Sequence, residues 1–372
     1  MIRTVRIQNF KSLRDVSIDL ERFTVFVGAN GSGKTSVLEA IHDAVRAYTG
    51  DPQKVFAHER LVDWIYSRGG EGDLSIRCWT STGPSSSSSM GHFAVEAIPP
   101  RWVPLASQRM GKVRWDYRIE PSNPMLNAAL VPARNLVFPR LNAALLAKPS
   151  YSEDVPPRME YTGKGLASVL AYMALNDPKG FDSLVEAART LIPRLRGIRF
   201  DKASVYRTEK ELVRFGKDTV DRRSRRRYRG EMILLDFEHA ENISARVASE
   251  GTMLMLGLLT VLLGPSRPQI VLLDDIEHGL HPLAQKELVE AIGRFLEQFP
   301  SLQILATSHS PFLLDFLNPE QVRIMATGPD GYSRCGRLTE HLKFSKWKEE
   351  MAPGEMWSLF GEKWLANKGT ES

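Results

Sequence analysis

The chain is poor in cysteine and has no apolar run long enough to cross a membrane. Its 372 residues include two cysteines, Cys78 and Cys335, far apart in the sequence. This usage argues against a disulfide framework or a cysteine-rich zinc site and suits a reducing compartment. The longest apolar run, residues 253–263, has 11 residues, whereas a membrane-spanning helix needs about 20. The N-terminus also lacks the apolar core of a signal peptide, so we expect a cytoplasmic protein without membrane contact.

The chain does have an excess of positive charge, and it lies in one segment. The net charge is +5, and residues 199–229 carry 12 lysines and arginines against 5 acids, so the rest of the chain is slightly acidic. The centre of the segment holds the arginines Arg222, Arg223, Arg225, Arg226, Arg227 and Arg229. A DNA or RNA backbone is one partner that fits such a patch. A solvated loop and an acidic partner protein are the alternatives.

Residues 28–35 form the most specific motif, Gly-Ala-Asn-Gly-Ser-Gly-Lys-Thr. A strand-like run precedes it and a helix-like run follows it, the context in which this pattern indicates nucleotide binding. Its glycines let backbone N–H groups turn toward a phosphate, and the following helix adds its positive dipole end. Lys34 is expected to reach the β/γ-phosphates and the Thr35 hydroxyl to hold Mg²⁺. The residues predicted to contact the nucleotide here are Asn30, Gly31, Ser32, Gly33, Lys34, Thr35 and Ser36.

Two acids end an apolar strand-like run, residues 269–273, far downstream of this loop. In P-loop proteins a carboxylate at the end of such a strand meets Mg²⁺, so Asp274 is the predicted second metal ligand. Asp275 is placed to activate the attacking water. A buried strand capped by two acids is the alternative interpretation.

Two further segments are candidate phosphate-binding elements. Ser249, Gly251 and Thr252 open a predicted helix, and a helix start of this kind presents a hydroxyl, free N–H groups and a dipole to an anion. An ordinary N-cap is the alternative. His309 follows a strand-like run beside the acidic strand, where it can sense a γ-phosphate. A structural loop histidine is the alternative there.

The order of predicted elements indicates an α/β protein, because strands and helices alternate regularly from residue 250 onward. Predicted strands cover residues 3–7, 16–20, 23–27, 73–80, 269–273, 302–306 and 321–325. Predicted helices cover residues 35–48, 166–175, 181–191, 252–263, 283–299 and 311–317. Strand-like pieces with the arginine run occupy residues 198–240, and a serine-rich stretch at 81–91 is predicted as a loop.

Together these motifs resemble those of ABC-type AAA ATPases. The chain has Asn-Phe-Lys-Ser at 9–12, the P-loop, Ser-Glu-Gly-Thr at 249–252, Leu-Leu-Asp-Asp at 272–275 and Ala-Thr-Ser-His-Ser-Pro at 306–311. The set is similar to the RecF/SMC-like branch, especially the compact ATPases of the overcoming-lysogenization-defect (OLD) type, over about residues 1–80 and 240–326. The resemblance implies a P-loop NTPase of ABC-ATPase head type, with an N-terminal mixed β lobe, a parallel-sheet core and a large mixed α+β insertion.

The resemblance also implies roles and partners. By this resemblance Lys34 is the Walker A lysine, Thr35 is an Mg²⁺ ligand and Asp274 is the Walker B acid. His281 falls in the D-loop, and His309 matches the switch histidine. Residues 249–252 match the signature loop, which in this family faces the P-loop of a second head. ATP and Mg²⁺ are therefore the expected ligands, and a homodimer or higher homo-oligomer is expected to form through the ATP sites.

The chain departs from the family pattern at the catalytic base. Where the family usually has a glutamate, this chain has Asp275, and where a proline usually follows, it has Ile276. Because aspartate is one methylene shorter, and a misplacement of about 1 Å can cost about 10²-fold in rate, we expect slow hydrolysis, with Glu277 as a candidate assistant. The region after residue 50 gives no clear position for the Q-loop glutamine.

The implied organisation is an ATPase interrupted by an insertion. The predicted segments are residues 1–80 (N-terminal ATPase lobe with Walker A), 81–240 (insertion with the serine-rich loop, helices and arginine run), 241–345 (C-terminal ATPase lobe with signature, Walker B and switch histidine) and 346–372 (tail). The tail contains Trp347, Trp357 and Trp364, which either pack back on the core or form a partner surface.

OLD-type proteins carry a Toprim nuclease domain after the ATPase, whereas 63 residues follow His309 here, without the clustered acids of a two-metal nuclease. We therefore expect an ATPase subunit, hydrolysing ATP to ADP and phosphate, that acts with a separate effector protein, a nuclease or toxin, in bacterial anti-phage defence. A RecF-like repair or recombination ATPase that binds DNA directly is the alternative. A transporter ATPase is a distant third.

Overall fold

The structure is a computed structural model that describes residues 1–50, 55, 66–67, 72–81, 90–98, 116–120, 135–215 and 218–366. Most of the serine-rich stretch lies outside these residues. The same holds for much of the region after residue 50 in which the Q-loop glutamine is expected.

The predicted strands and helices are confirmed, with ends within three residues of those predicted. The strands are β1 (Ile2–Phe10), β2 (Leu13–Asp19), β3 (Phe23–Gly28), β4 (Leu74–Ser81), β5 (Met90–Ile98), β6 (Asp116–Glu120), β7 (Leu136–Val137), β8 (Leu195–Phe215), β9 (Asp218–Phe237), β10 (Ala240–Ser244), β11 (Ile270–Leu273), β12 (Gln303–Ser308), β13 (Val322–Thr327) and β14 (Ser333–Arg337). The helices are α1 (Lys34–Thr49), α2 (Ala143–Leu146), α3 (Leu166–Asn176), α4 (Pro178–Leu191), α5 (Glu250–Leu263), α6 (Pro282–Gln298), α7 (Pro311–Leu314), α8 (Phe344–Trp347), α9 (Pro353–Phe360) and α10 (Lys363–Ala366).

The chain forms two compact units. The first comprises residues 1–138, 268–278 and 288–372, and the second comprises residues 139–267 and 279–287. The predicted four-segment division stays a prediction.

The first unit contains two sheets around helix α1. One sheet is antiparallel, in the order β2-β1-β4-β5-β6, and the other has the order β14-β13-β3-β12-β11-β7. Helix α1 is amphipathic and buries Val37, Leu38, Ile41 and Ala44 against both sheets. The apolar side chains of α1 therefore join the two sheets into one core.

The register of the second sheet determines which chain segments meet at its edge. Strands β11, β12 and β3 pair in parallel, with Leu273 opposite Ala306 and Ser308 opposite Val27. The carboxyl ends of parallel neighbours lie at the same sheet edge. The residues that follow β3, β11 and β12 are therefore brought together.

The second unit combines helices with a long two-stranded ladder. Its sheet has the order β10-β9-β8, and β8 pairs with β9 in antiparallel register over about twenty residues. The segment in which strand-like pieces are expected, residues 198–240, thus consists largely of two long strands that pair with each other. Helix α5 is apolar on nearly all sides and is largely buried, as expected for a helix at the centre of a packed layer.

The tail packs back on the first unit, one of the two alternatives for it. The Gly354 N–H donates to Asp315 Oδ1 at 2.8 Å, Met356 and Leu365 are buried, and Trp364 meets the His341 ring edge-on. Burial raises the pKa of the Asp315 carboxyl, partly offset by the N–H groups that it accepts. Helix α9 is thereby held against α7, which begins two residues after His309.

Gln303 links the two sheets of the first unit and provides a test of their packing. Its buried amide accepts from the Ile2 N–H at 2.8 Å and donates to the carbonyls of Ile2 (2.7 Å) and Glu21 (3.0 Å). Gln303→Leu leaves these backbone groups unpaired, so we expect the free energy of unfolding to fall by about 3 kcal/mol. Urea unfolding beside the exposed control Gln298→Leu measures this, and equal midpoints for the two variants would contradict it.

Candidate functional site

The phosphate loop connects β3 to α1 through positions that only glycine fits. Gly28 and Gly33 have φ of 153° and 96°. A Cβ at Gly28 would lie 2.1 Å from the Met325 carbonyl oxygen, and one at Gly33 would lie 2.3 Å from Ser333 Oγ. Positive φ and close neighbours both exclude larger residues. The loop is therefore fixed by its surroundings in the first unit.

Lys34 is a buried cation at the start of α1, with 5% of its surface exposed. Its ammonium donates to the carbonyls of Gly28 (2.8 Å) and Ala29 (3.0 Å). Burial lowers the pKa of Lys34, while four nearby carboxylates favour the charged form and oppose the shift. These belong to Asp275, Glu362, Asp274 and Glu277. A desolvated ammonium whose hydrogen bonds go to neutral carbonyls is well suited to bind a phosphate.

Two threonine hydroxyls hold the carboxylate of Asp274. Thr35 donates to Asp274 Oδ1 at 2.9 Å, and Thr307 donates to the same oxygen at 2.7 Å. The Thr307 oxygen also accepts the backbone N–H of Asp275 at 2.8 Å. Thr307 is fully buried near the end of β12, so it joins both acids to the neighbouring strand.

His309 lies between Asp275 and Lys34. Its Nε2 is 3.4 Å from Asp275 Oδ1, and its Nδ1 is 3.5 Å from Lys34 Nζ. A neutral imidazole that donates from Nε2 and accepts at Nδ1 satisfies both contacts. The Asp275 side chain is 51% exposed, and its backbone has φ 48°, a left-handed conformation that aspartate tolerates better than most residues. A carboxylate beside the loop is therefore open to solvent.

Glu277 holds the backbone of the histidine segment. The His309 N–H donates to Glu277 Oε1 at 2.5 Å. The second carboxylate oxygen of Glu277, Oε2, is buried and has no hydrogen-bond partner among the described residues. Glu277 therefore contacts the backbone of His309 through its carboxylate.

The other predicted loop residues divide by exposure. Asn30 and Gly31 are exposed at the crest of the loop, and Ser36 is half-buried in α1. The Ser32 hydroxyl is buried within the loop, again without a hydrogen-bond partner in the described part of the chain. An orphaned donor at this position is what a phosphate-binding loop requires.

The signature segment belongs to the second unit. Ser249 caps α5 by accepting the Thr252 N–H at 3.2 Å, and the two hydroxyls are 2.8 Å apart. A Cβ at Gly251 would lie 2.7 Å from the Gly279 carbonyl oxygen, so this helix start packs tightly on the backbone at Gly279. His281 accepts the N–H of Leu283 and so helps to begin α6. Ser249 itself is exposed.

Sequence reasoning missed three contributors to the site. Thr307 stands within the Ala-Thr-Ser-His-Ser-Pro motif, so its position at a strand end beside the acids was an available signal. Glu362 lies in the tail, where nothing in the sequence pointed to Lys34. Ser12 bonds to Ser333 at 2.8 Å next to Gly33, which gives the Asn-Phe-Lys-Ser segment a supporting role.

Family models match two parts of the chain. Residues 113–315, more than half of the chain, match the family described as "AAA domain, putative AbiEii toxin, Type IV TA system". The chain belongs to this AAA-domain family. A second model, described as "AAA ATPase domain", matches residues 1–79 of this AAA ATPase. A comparison with curated protein sequences gave no match.

Solved SMC heads share the fold of this AAA ATPase. An SMC head bound to the C-terminal winged-helix domain of ScpA has a TM-score of 0.58 at 16% identity, covering 92% of this chain and 99% of that one. A Pyrococcus furiosus SMC head with an extended coiled coil, bound to the C-terminal domain of ScpA, has a TM-score of 0.56 at 14% identity, covering 94% and 99%. With the family match, this confirms a P-loop NTPase fold and the resemblance to ABC-type ATPases of the RecF/SMC-like branch.

A metal-binding cluster of acids, histidines or cysteines and a membrane-spanning helix are both absent from the described residues of this AAA ATPase. They contain no group of three or more His, Cys, Asp or Glu side chains that could hold a metal ion. Within the same ranges, no helix has the length and apolar character needed to cross a membrane.

Thr307 offers a test of whether the acids need their threonine support. Thr307→Val keeps the shape but removes the hydroxyl that positions Asp274 and Asp275. Because misplacement of about 1 Å can cost about 10²-fold, we expect ATP turnover to fall by roughly that factor. Phosphate release at varied Mg²⁺ measures it, with exposed Thr327→Val as control. Rescue by Thr307→Ser is expected, and full activity in Thr307→Val would contradict the role.

Proposed function

We propose that this chain is an ATP-hydrolysing subunit that dimerises around two ATP molecules and gates a separate effector protein. The observation that carries the proposal is the convergence of Lys34, Thr35, Asp274, Asp275 and His309 at one sheet edge, joined by direct contacts. A P-loop NTPase needs a phosphate-binding cation, a metal-binding pair and a group that acts on water. This cluster offers all three.

The residues present fit a Mg²⁺–nucleotide. Mg²⁺ prefers oxygen ligands and usually takes one or two carboxylates or hydroxyls plus phosphate oxygens. The Thr35 hydroxyl and the Asp274 carboxylate, 2.9 Å apart, are such donors. The orphaned Ser32 hydroxyl and the Lys34 ammonium complete a cradle for phosphate oxygens. When bound, Mg²⁺ would neutralise charge on the β/γ-phosphates.

For hydrolysis, Asp275 serves as the group that orients water and takes its proton. Its carboxylate is solvent-exposed, and its position is set at the backbone by the bond to Thr307. His309 lies between this carboxylate and Lys34, where it can respond to a γ-phosphate. Glu277 positions His309 through its backbone N–H, so its contribution to catalysis is indirect. The short reach of Asp275 favours slow turnover.

The signature helix supports the dimer. Ser249 and Thr252 present hydroxyls at the exposed N-terminus of α5, where the helix dipole favours an anion. In ABC-type heads this element meets the nucleotide of a second copy. Two chains arranged head to tail would therefore complete two sites, and ATP would hold them together.

The defence context rests on the family description, which names a putative toxin of a toxin–antitoxin system. The SMC heads of similar fold are bound to domains of ScpA, and an ATPase head that engages a second protein is consistent with a separate nuclease or toxin effector. A RecF-like repair ATPase remains the second candidate, because the hairpin carries an exposed arginine cluster. Copurification with neighbouring gene products distinguishes the two.

Lys34→Ala should strongly reduce ATP hydrolysis, because it removes the buried ammonium that the carbonyls of Gly28 and Ala29 position. Loss of one preorganised donor costs about 10²–10³-fold in rate. ATP binding by calorimetry and phosphate release measure the effect beside the exposed control Lys343→Ala. Wild-type hydrolysis in Lys34→Ala would falsify the site assignment.

Asp275→Asn should trap ATP without destroying its site. Asparagine tolerates the left-handed backbone but cannot take a proton, so we expect turnover to fall about 10²-fold or more. Light scattering should then show a long-lived dimer in ATP and a monomer in ADP. Asp182→Asn, on the exposed side of α4, is the control. No ATP-dependent change in mass for Asp275→Asn would count against the dimer.

A further inference from the structure

The arginines on β9 are sorted by the register of the β8–β9 ladder. Side chains of residues directly opposite each other in an antiparallel pair share one face, and alternate residues point to opposite faces. Ser204 pairs with Arg229, Tyr206 with Arg227 and Thr208 with Arg225. The arginine face is defined by the seven residues Ser204, Tyr206, Thr208, Arg223, Arg225, Arg227 and Arg229.

The arginine face carries positive charge, and the next residue of β9 on the same side, Glu231, is paired with Lys202. None of its seven residues is Asp or Glu, and its four arginines are exposed. Arg227 Nε donates to the neutral Ser204 hydroxyl at 2.9 Å, and the Arg225 guanidinium lies 4.3 Å from the Tyr206 ring centroid. Neither partner neutralises the charge.

On the opposite face, the charged side chains contact other groups of the same chain. Arg226 Nε lies 3.2 Å from Glu209 Oε2, and Tyr228 also donates to Glu209. Arg207 lies over the Tyr151 ring at 5.2 Å, and Tyr151 stacks on Tyr228. Residues 149–154 and 158–160, together with residues 205–209 of β8, line a cavity of about 720 Å³. The opposite face is therefore partly covered and largely compensated.

The geometry points to single-stranded nucleic acid as the ligand of the arginine face. The four arginines recur at every second residue over about 20 Å of strand, a regular row of cations for a phosphate backbone. Guanidinium groups match phosphate oxygens in a bidentate fork. Tyr206, 53% exposed in the middle of the row, offers a ring for an unpaired base. An exposed ring within a regular row of cations can stack on a base between phosphate contacts, which favours nucleic acid over an acidic protein.

This assignment narrows the sequence hypothesis, in which all six arginines were equal candidates. Arg226 belongs to the opposite face and is held by Glu209. The four arginines of the arginine face are the ones that bind phosphate. Nucleic-acid binding at the arginine face does not require the proposed ATP-driven dimer.

The test compares two double variants that remove equal charge from opposite faces of the same hairpin. Arg225→Gln/Arg227→Gln acts on the arginine face, and Arg207→Gln/Arg226→Gln acts on the opposite one. Fluorescence anisotropy of the full chain without ATP, with labelled oligo(dT) and oligo(U) of about 20 nucleotides, gives affinity against salt. Loss of two phosphate contacts should lower the slope of log K against log[salt] by about 1.4. The opposite-face variant should keep the wild-type slope.

A third variant tests the base contact. Tyr206→Ala should weaken single-strand binding about tenfold or more, since stacking on one aromatic ring supports affinity of that order, and should leave duplex binding unchanged. Equal losses for both double variants would overturn the face assignment. Tighter binding to duplex of the same length would overturn the single-strand assignment. Absence of nucleic-acid binding by the wild-type chain would overturn both and favour an acidic protein. None of these outcomes tests the proposed ATP site, because the binding measurement is made without ATP.

Discussion

The parallel pairing of β3, β12 and β11 is the constraint on which the candidate site depends. It places the loop before Lys34, the two acids and His309 at one edge, although Lys34 lies more than 200 residues before the acids and His309. A slip of one residue in either pair would turn every side chain of a strand to the other face. The Thr307 hydroxyl adds a direct bond between β12 and the acids. The backbone of Asp275 and the carboxylate of Asp274 are thus tied directly to the neighbouring strand.

The electrostatics of the site follow from the convergence of these charged residues at one sheet edge. One buried ammonium faces four carboxylates, of which Glu362 comes from the tail. Such an excess of acid would repel a nucleoside triphosphate, unless a divalent cation accompanied it. The charge balance and the Thr35–Asp274 pair therefore favour the same ligand, a nucleotide with its metal. The tail takes part in this balance because α9 and α10 pack on the first unit.

The sequence alone predicted the residues that stand in recognisable motifs at strand ends, because glycine, lysine and acid spacing reflects local backbone chemistry. It could not predict Glu362, since only tertiary packing brings the tail to Lys34. It also missed Thr307, whose importance depends on a parallel neighbour. For β9, the sequence showed six arginines within residues 222–229, but the face on which each arginine lies and its partner on β8 depend on the register of the ladder. A shift of one residue would have placed Tyr206 on the opposite face.

The left-handed backbone of Asp275 has a consequence for how the position can evolve. In that conformation a residue other than glycine, asparagine or aspartate costs about 1–2 kcal/mol. A change to the glutamate usual in related ATPases would gain reach, but it would also strain the turn whose N–H bonds to Thr307. The short acid and the left-handed turn are therefore matched in this chain, and a longer acid at residue 275 would need a differently shaped turn to use its extra reach.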